Sequence, residues 1–169
     1  MAILDIVKFP DPSLRLKAKT VQQFDKALQQ LIEDMFETMR VAPGVGLAAP
    51  QIGESLRLVV VEYTDDEKEN ALPKTYVLVN PEIVKTSTET VTDVEACLSV
   101  PGLAGEVERF EAVTVKAKNR HGQPIKINAK GWLARIFQHE IDHLDGILYV
   151  DRATEVFQPT PEELGQIQD

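Results

Sequence analysis

The segment from Gly131 to Gly146 constrains the fold most strongly, because its apolar residues recur every three or four positions, as on one face of a helix. These apolar residues are Leu133, Ile136, Phe137, Ile141 and Leu144. The sequence QHEIDH places His139 and His143 one helical turn apart on the same face, with Glu140 between them. In this H-E-x-x-H arrangement two imidazoles bind one divalent metal, and the carboxylate can take a proton from a bound water. The segment therefore predicts a metal-binding helix with hydrolytic chemistry.

The rest of the chain predicts antiparallel sheets with few helices. Apolar residues on one face predict an amphipathic helix from Asp25 to Arg40, which ends before a proline. The last two of the predicted strands flank the turn-like RHGQ and predict a hairpin, with His121 in its turn. The β-rich runs are Leu56–Tyr63, Tyr76–Lys85, Ala112–Asn119 and Pro124–Ala129. We expect an α+β fold in which antiparallel β-sheets pack around a central metal-binding helix, with the amphipathic helix N-terminal to them.

The length of the chain and the absence of a linker predict one domain. The 169 residues are enough to bury a core, and no repeat or linker divides residues 1–169. The first 20 residues predict an extended segment with a short turn around Leu14, because two prolines block regular helix. A charged loop at 64–74 should be exposed, and residues 154–169 predict a loose tail or a short last helix.

Charge and apolar content exclude some classes of protein. With a net charge of −9 and no basic run, the chain is not expected to bind nucleic acid. No apolar stretch approaches the roughly 18 residues that a membrane helix needs, and no signal-peptide pattern is present. The single cysteine excludes an intramolecular disulfide and fits a reducing compartment, so the cytoplasm is the expected location.

A catalytic site with two histidines needs a third protein ligand, and three candidates compete. In the longer metalloprotease pattern the ligand is a histidine after Gly146, but Tyr149 stands at that position. Other proteases use a glutamate on a later helix, which brings in Glu162 or Glu163 in a proline-rich stretch. The remaining candidate is Cys97, whose thiolate would complete a Cys-His-His shell. A lone cysteine is, however, more often a small buried apolar residue.

Three segments, in order, resemble the motifs of the peptide deformylase family. They are GVGLAAPQIG at 44–53, EACLS at 95–99 and QHEIDH at 138–143. The opening IVKFPDPSLR and the helix before the first motif are similar to that family too, so the resemblance extends through about Arg152. Three ordered motifs are far more specific than one.

The resemblance implies a metal and a reaction. Cys97, His139 and His143 would bind one divalent ion, with Fe2+ expected and Zn2+, Ni2+ or Co2+ as alternatives. The reaction implied is removal of the formyl group from the N-terminal formylmethionine of newly synthesised polypeptides, with release of formate. The metal would lower the pKa of a bound water, Glu140 would accept its proton, and the hydroxide would attack the formyl carbon. Glu140 would then protonate the departing amine.

The resemblance also implies two hydrogen-bond donors to the oxyanion of this reaction. They are the side-chain amide of Gln51 and the backbone N–H of Leu98, and each such donor is typically worth about 3 kcal/mol. A binding protein that does not cleave its peptide is the alternative within the same fold. The presence of Gln51 and Glu140 argues against it, because binding alone needs no proton acceptor beside a metal.

Substrate-binding residues are expected near the motifs. Gly46 lacks a Cβ and would let a peptide backbone approach, although a tight turn explains it equally well. Val45, Trp132 and Ile136 are expected to line the methionine pocket, and core packing is the alternative for them. Ala96 stands where the family pattern has glycine, so its methyl group is expected to crowd the substrate and reduce turnover. The partners expected are nascent formylmethionine peptides, at the ribosome, and the chain is expected to act as a monomer.

Overall fold

Two antiparallel sheets of unequal size make up most of the fold. The computed structural model describes residues 2–65 and 69–167. Its strands are β1 (Gly46–Ala48), β2 (Leu58–Tyr63), β3 (Lys74–Thr86), β4 (Thr90–Cys97), β5 (Val100–Phe110), β6 (Ala112–Lys118), β7 (Pro124–Lys130) and β8 (Glu155–Phe157). Its α-helices are α1 (Lys26–Val41), α2 (Gly131–Leu144), α3 (Tyr149–Arg152) and α4 (Pro161–Gly165), and 3-10 helices span Pro12–Arg15 and Ala49–Ile52. One sheet has the order β1-β2-β3-β6-β7 and the other has the order β4-β5-β8.

Helix α1 covers one face of the larger sheet. Its N-cap is Asp25, whose carboxylate accepts a hydrogen bond from the backbone N–H of Leu28 and so satisfies a donor that the helix cannot pair. The apolar side of the helix is buried in a cluster that includes Ile32, Met35, Met39, Leu58, Val60 and Val79. The predicted amphipathic helix is therefore confirmed, one residue further along the chain at each end.

Strand β2 is buried on both faces and separates α1 from α2. Leu58 and Val60 belong to the cluster with α1, whereas Val59 and Val61 belong to a second cluster with α2. This division follows from the alternation of side chains along a strand, and it explains the unbroken apolar run LVVV. In the second cluster Phe137 of α2 has no exposed surface. The apolar stripe of the metal-binding helix thus faces the larger sheet.

The smaller sheet brings the EACLS segment to α2. Strands β4 and β5 pair as a hairpin, in which Cys97 lies opposite Val100 across a two-residue turn. The sequence does not predict this hairpin, because its strands carry glycine and several charged residues in place of a clear apolar alternation. Val100 and Val107 pack with Leu148 and Tyr149, which follow α2, in a cluster that also contains Cys97. Packing against these residues holds the hairpin beside the helix.

The predicted architecture is confirmed in its coarse features. The four predicted strands are present as β2, β3, β6 and β7, and the last two form the predicted hairpin, with His121 exposed in its turn. Antiparallel sheets with few helices are confirmed as well. The description of the metal-binding helix as central is corrected: α2 is a C-terminal helix, because it packs on strands that nearly all precede it in the chain.

The predictions for the connecting segments can be compared with the structure one by one. The first 20 residues contain the expected turn, as a 3-10 helix that buries Leu14. Of the loop 64–74, residues 66–68 lie outside the described residues, 69–70 and 72–74 are exposed as predicted, and 64, 65 and 71 are half-buried. The segment after 154 contains β8 and α4, and the single-domain organisation stays a prediction. None of the helices in the described ranges combines the length and apolar character needed to span a bilayer.

Gly146 lies just after α2, where a side chain does not fit. Its φ is 75°, in the left-handed region, and a Cβ there would overlap the backbone carbonyl of Arg15. We expect Gly146→Ala to lower the free energy of unfolding by about 3 kcal/mol, because left-handed strain adds to overpacking. The matched control is Gly53→Ala, with a φ of 82° and no heavy atom of the described residues within 4 Å of its Cβ. Strain alone should cost the control about 1–2 kcal/mol. Equal losses for the two variants in urea unfolding would contradict this explanation.

Candidate metal centre

Three side chains with metal-ligand atoms meet at the junction of α2 and the β4–β5 hairpin. Cys97 is the last residue of β4, and His139 and His143 lie one turn apart on α2. One ligand atom from each lies within 4.8 Å of the others, and Cys97 Sγ is 3.4 Å from His143 Nε2. All three side chains are buried. A thiol and two imidazoles at this spacing form a donor set that fits a divalent transition metal.

Glu95 orients the first imidazole. Its Oε1 lies 2.8 Å from Nδ1 of His139, so that Nε2 of the ring is left for a metal. Arg109 donates to both carboxylate oxygens at 2.9 Å, and Arg135 donates to Oε2 at 2.6 Å. On the other side of the imidazole, the ring of Tyr149 stacks with a centroid distance of 6.0 Å. The ring of His139 is therefore fixed at its edge by Glu95 and on its face by Tyr149.

The ionisation states follow from this burial and pairing. Burial alone would raise the pKa of Glu95, but the hydrogen bonds from Arg109 and His139 outweigh it and hold the pKa well below its usual range. Burial and the nearby positive charges lower the pKa of His143, so its ring is neutral at pH 7, the form that binds metals. For His139, burial is outweighed by Cys97 and Glu95, and the pKa is raised. The two imidazoles are thus shifted in opposite directions, because the acidic partners lie closer to His139 and the positive charges act on His143.

Glu140 lies against the strand that carries the first motif. Its side chain is 2% exposed, and its Oε1 is 3.9 Å from Nε2 of His143. A Cβ built on Gly46 would lie 2.5 Å from Glu140 Oε2, so only glycine allows the carboxylate to pack on the backbone of β1. The alternative of a tight turn at Gly46 is wrong, since this residue is in a strand and is not among the glycines with positive φ.

The two expected oxyanion donors lie beside Cys97. Gln51 is 1% exposed, and its Oε1 accepts a hydrogen bond of 2.9 Å from the backbone N–H of Ala48. This bond fixes the amide so that Nε2 points at the hairpin, 3.1 Å from Ser99 Oγ and 3.5 Å from Cys97 Sγ. Leu98 opens the two-residue turn that follows Cys97. Both residues thus lie next to the candidate ligand, and their role as oxyanion donors stays a prediction.

The residues expected to line the methionine pocket share one apolar cluster. Ile136 is buried in it, and the half-buried Val45 and Trp132 pack against it. Trp132 also borders a cavity of about 590 Å³ that neither of the other two lines. Ala96 is 6% exposed and lines another cavity, of about 700 Å³, next to Cys97. The pocket assignment for Val45, Trp132 and Ile136 stays a prediction.

The competing third ligands are not brought to the histidines. Glu162 and Glu163 lie on the exposed helix α4, and the group of possible metal ligands found among the described residues is the one with Cys97. Tyr149, at the position where the longer metalloprotease pattern has a histidine ligand, is 1% exposed, and its ring stacks on the imidazole of His139.

Sequence reasoning missed the buried charges that support the centre. Glu95, Arg109 and Arg135 have at most 5% of their surface exposed and form a connected set of ion pairs. Asp142 extends this set by accepting from Arg109 at 2.7 Å. The signal was present in EACLS, where Glu95 stands two residues before the cysteine, but the partners on β5 and α2 cannot be inferred from spacing.

Comparisons with known proteins agree on one family. The family model described as polypeptide deformylase matches residues 3–158. A peptide deformylase of Symbiobacterium thermophilum is 52% identical over 163 residues, which cover 96% of this chain and 72% of the relative. A peptide deformylase of Dictyoglomus thermophilum is 48% identical over 161 residues, 95% of this chain and 99% of the relative. The crystal structure of a peptide deformylase from Legionella pneumophila superposes with a TM-score of 0.82 at 48% identity, covering 98% of this chain and 90% of that one.

Replacement of Glu95 tests the support of the metal centre. We expect Glu95→Gln to lower the free energy of unfolding by about 3 kcal/mol or more, because two buried arginines lose their carboxylate. We also expect metal affinity to fall by about 10- to 100-fold, since the imidazole of His139 loses its orienting partner. Metal titration followed by urea unfolding of the metal-free protein measures both effects.

Two controls test this effect of Glu95: the pH dependence of the stability difference, and the removal of a carboxylate from a surface ion pair. Because the pKa of Glu95 is lowered on folding, its contribution is complete above the ordinary value of about 4.5 and is lost as the pH falls below it. The stability difference between wild type and variant should therefore narrow below that pH. Glu62→Gln, which removes the carboxylate of the surface ion pair with Arg40, should cost less than about 1 kcal/mol. A loss at Glu95 no larger than at Glu62 would refute the assigned role.

Proposed function

The chain belongs to the peptide deformylase family and is therefore an enzyme of N-terminal deformylation, and we propose that Cys97, His139 and His143 hold its metal with Glu140 as the proton carrier. The reaction removes the formyl group from formylmethionine at the start of new polypeptides. The observation that carries the residue assignment is the meeting of a thiol and two imidazoles from distant segments, with a buried carboxylate beside them.

The metal that we propose is Fe2+, with Zn2+, Ni2+ or Co2+ as other occupants of the same donors. One thiolate and two imidazoles suit several of these ions, so the donor set supports a transition metal. It does not suit Mg2+ or Ca2+, because these ions prefer oxygen ligands. When bound, the metal supplies Lewis-acid activation of water and of the formyl oxygen.

The side chains divide the remaining work. Glu140 takes the proton from the attacking water and later delivers it to the departing amine, and its burial between Gly46 and His143 keeps the carboxylate in place for both transfers. Gln51 Nε2 and the backbone N–H of Leu98 donate to the oxyanion that develops at the formyl carbon. The hydrogen bond from Ala48 to Gln51 supports this role, because it holds the amide in one orientation.

The remaining parts of the proposal concern the substrate and its setting. Val45, Trp132 and Ile136 receive the methionine side chain, and their common apolar cluster supports this assignment. We also propose a monomer that acts in the cytoplasm on peptides emerging from the ribosome. The single cysteine is consistent with a reducing compartment.

Formate release tests the reaction and the role of Glu140. Protein purified anaerobically with iron should release formate from formyl-Met-Ala-Ser. Glu140→Ala should lower kcat by about 10²- to 10⁴-fold with unchanged iron content, because the proton carrier is lost and the ligands remain. Glu108→Ala, which removes an exposed carboxylate on β5, is the control and should leave kcat unchanged. No release by wild type, or full activity of Glu140→Ala, would overturn the proposal.

The alternative function of a zinc endopeptidase, with Glu162 or Glu163 as the third ligand, makes a different prediction for metal binding. In that case Cys97→Ala would retain one metal per chain, and Glu163→Ala would lose it. The proposed centre predicts the reverse, measured as bound metal after gel filtration.

Ala96 provides a separate test. Its methyl group is buried next to Cys97, in the cavity that Leu98 also lines. We expect Ala96→Gly to raise kcat/KM on formyl-Met-Ala-Ser by up to about tenfold, because the peptide backbone can then approach β4 more closely. Iron content should stay the same. If kcat/KM does not change, crowding by Ala96 is not a property of this enzyme.

A further inference from the structure

Helix α4 follows the segment that the family model matches, and its residues reach the neighbourhood of the metal centre. The family match ends at residue 158, whereas α4 spans Pro161–Gly165. Pro161, Leu164 and Gly165 of this helix, with Ile167 after it, line the cavity of about 700 Å³ that opens beside Cys97. Residues of the C-terminal segment after the family-model match therefore contribute to the lining of a cleft beside Cys97.

The cleft is continuous with the residues that act on the formyl group. Its lining also includes Ala96, Cys97 and Leu98, which are the candidate ligand and its two neighbours. A formylated peptide whose first residue lies at Cys97 must direct its following residues away from the metal. The cleft between the hairpin and α4 is one volume next to the centre that is large enough to hold them.

The chemistry of the cleft favours apolar side chains. Among its described lining residues, Lys8 is the one with a charged side chain, and most of the others are aliphatic or proline. Leu164 is 42% exposed, so its side chain still has apolar surface that a ligand can cover. An apolar lining with few polar groups selects by contact area and shape.

Helix α4 is short, and its own cap holds it in shape. The hydroxyl of Thr160 accepts from the backbone N–H of Glu163 at 3.1 Å, and the Glu163 carboxylate accepts from the backbone N–H of Thr160 at 3.2 Å. This reciprocal capping box, with Pro161 at the first turn, fixes a helix that would not be stable by length alone. The side chains of Leu164 and Ile167 are thereby presented on a defined wall.

We propose that α4 forms a wall of the subsite for the peptide residues that follow methionine, and that Leu164 and Ile167 make this enzyme prefer apolar side chains there. This inference rests on the proposed deformylase function and adds a specificity determinant to it. Leu164 and Ile167 contact the peptide beyond its reacting end, so they act on substrate choice and leave the bond-breaking step to the metal centre.

A comparison of two substrates tests the preference. The ratio of kcat/KM for formyl-Met-Leu-Leu to that for formyl-Met-Ser-Ser is measured in wild type and in the double variant Leu164→Ser, Ile167→Ser. We expect the ratio to fall on the order of tenfold, mainly through KM for the apolar peptide, because apolar contacts are lost. The matched control is Val156→Ser, which replaces a residue of β8 that is 43% exposed and does not line the cleft. This control should keep the wild-type ratio.

Hydrogen exchange gives a second readout that does not depend on turnover. Addition of the product peptide Met-Leu-Leu should slow amide exchange in 161–167 of wild type, and it should not do so in the double variant. An unchanged kcat/KM ratio in the double variant, or no slowing of exchange in wild type, would overturn the role of α4. If wild type released formate from neither peptide, the deformylase function would fail as well, so the two failures are distinguishable.

Discussion

The arrangement of the candidate metal centre depends on the ion pairs and hydrogen bonds of the buried Glu95 carboxylate. Glu95 joins His139 and Arg135 on α2 to Arg109 on β5, while its own backbone belongs to β4. Each partner alone would be a costly buried polar group, and together they satisfy one another. Because Cys97 follows Glu95 by two residues, the same interaction that anchors the helix also places the thiol beside the imidazoles.

Close backbone approach is the second constraint. Gly46 lets the Glu140 carboxylate lie directly on β1, and the N-terminal segment is hydrogen-bonded to the 3-10 helix that follows this strand. The backbone N–H of Val7 donates to the carbonyl of Gln51, and that of Phe9 donates to the carbonyl of Ser99, each at 2.7 Å. The extended entry segment thus fastens the first motif to the hairpin of the second. The prolines of this segment and its lack of a periodic apolar pattern are consistent with an extended chain that is held by backbone hydrogen bonds.

The elements that sequence alone predicted are those whose burial pattern is local. Helices α1 and α2 have apolar stripes of helical period, and β2, β3, β6 and β7 have β-rich runs bounded by turn residues. Strands β4 and β5 were not predicted, because Glu95 and Arg109 are buried charged residues within them and interrupt the apolar pattern. Their burial is favourable only when their partners are in place, and local sequence does not record this condition.

The sequence by itself determined which groups the candidate centre can offer: an H-E-x-x-H helix carries two imidazoles and a carboxylate, and a helical turn brings the two histidines, four residues apart, to one face. It left the third ligand open, since Cys97 is 46 residues away from His143 and nothing local relates them. Only the tertiary structure decided that the thiol, and not Glu162 or Glu163, lies beside the imidazoles. It also placed α4 along the cleft. The physical reason is that the distance between remote residues depends on how sheets and helices pack, which no single segment encodes.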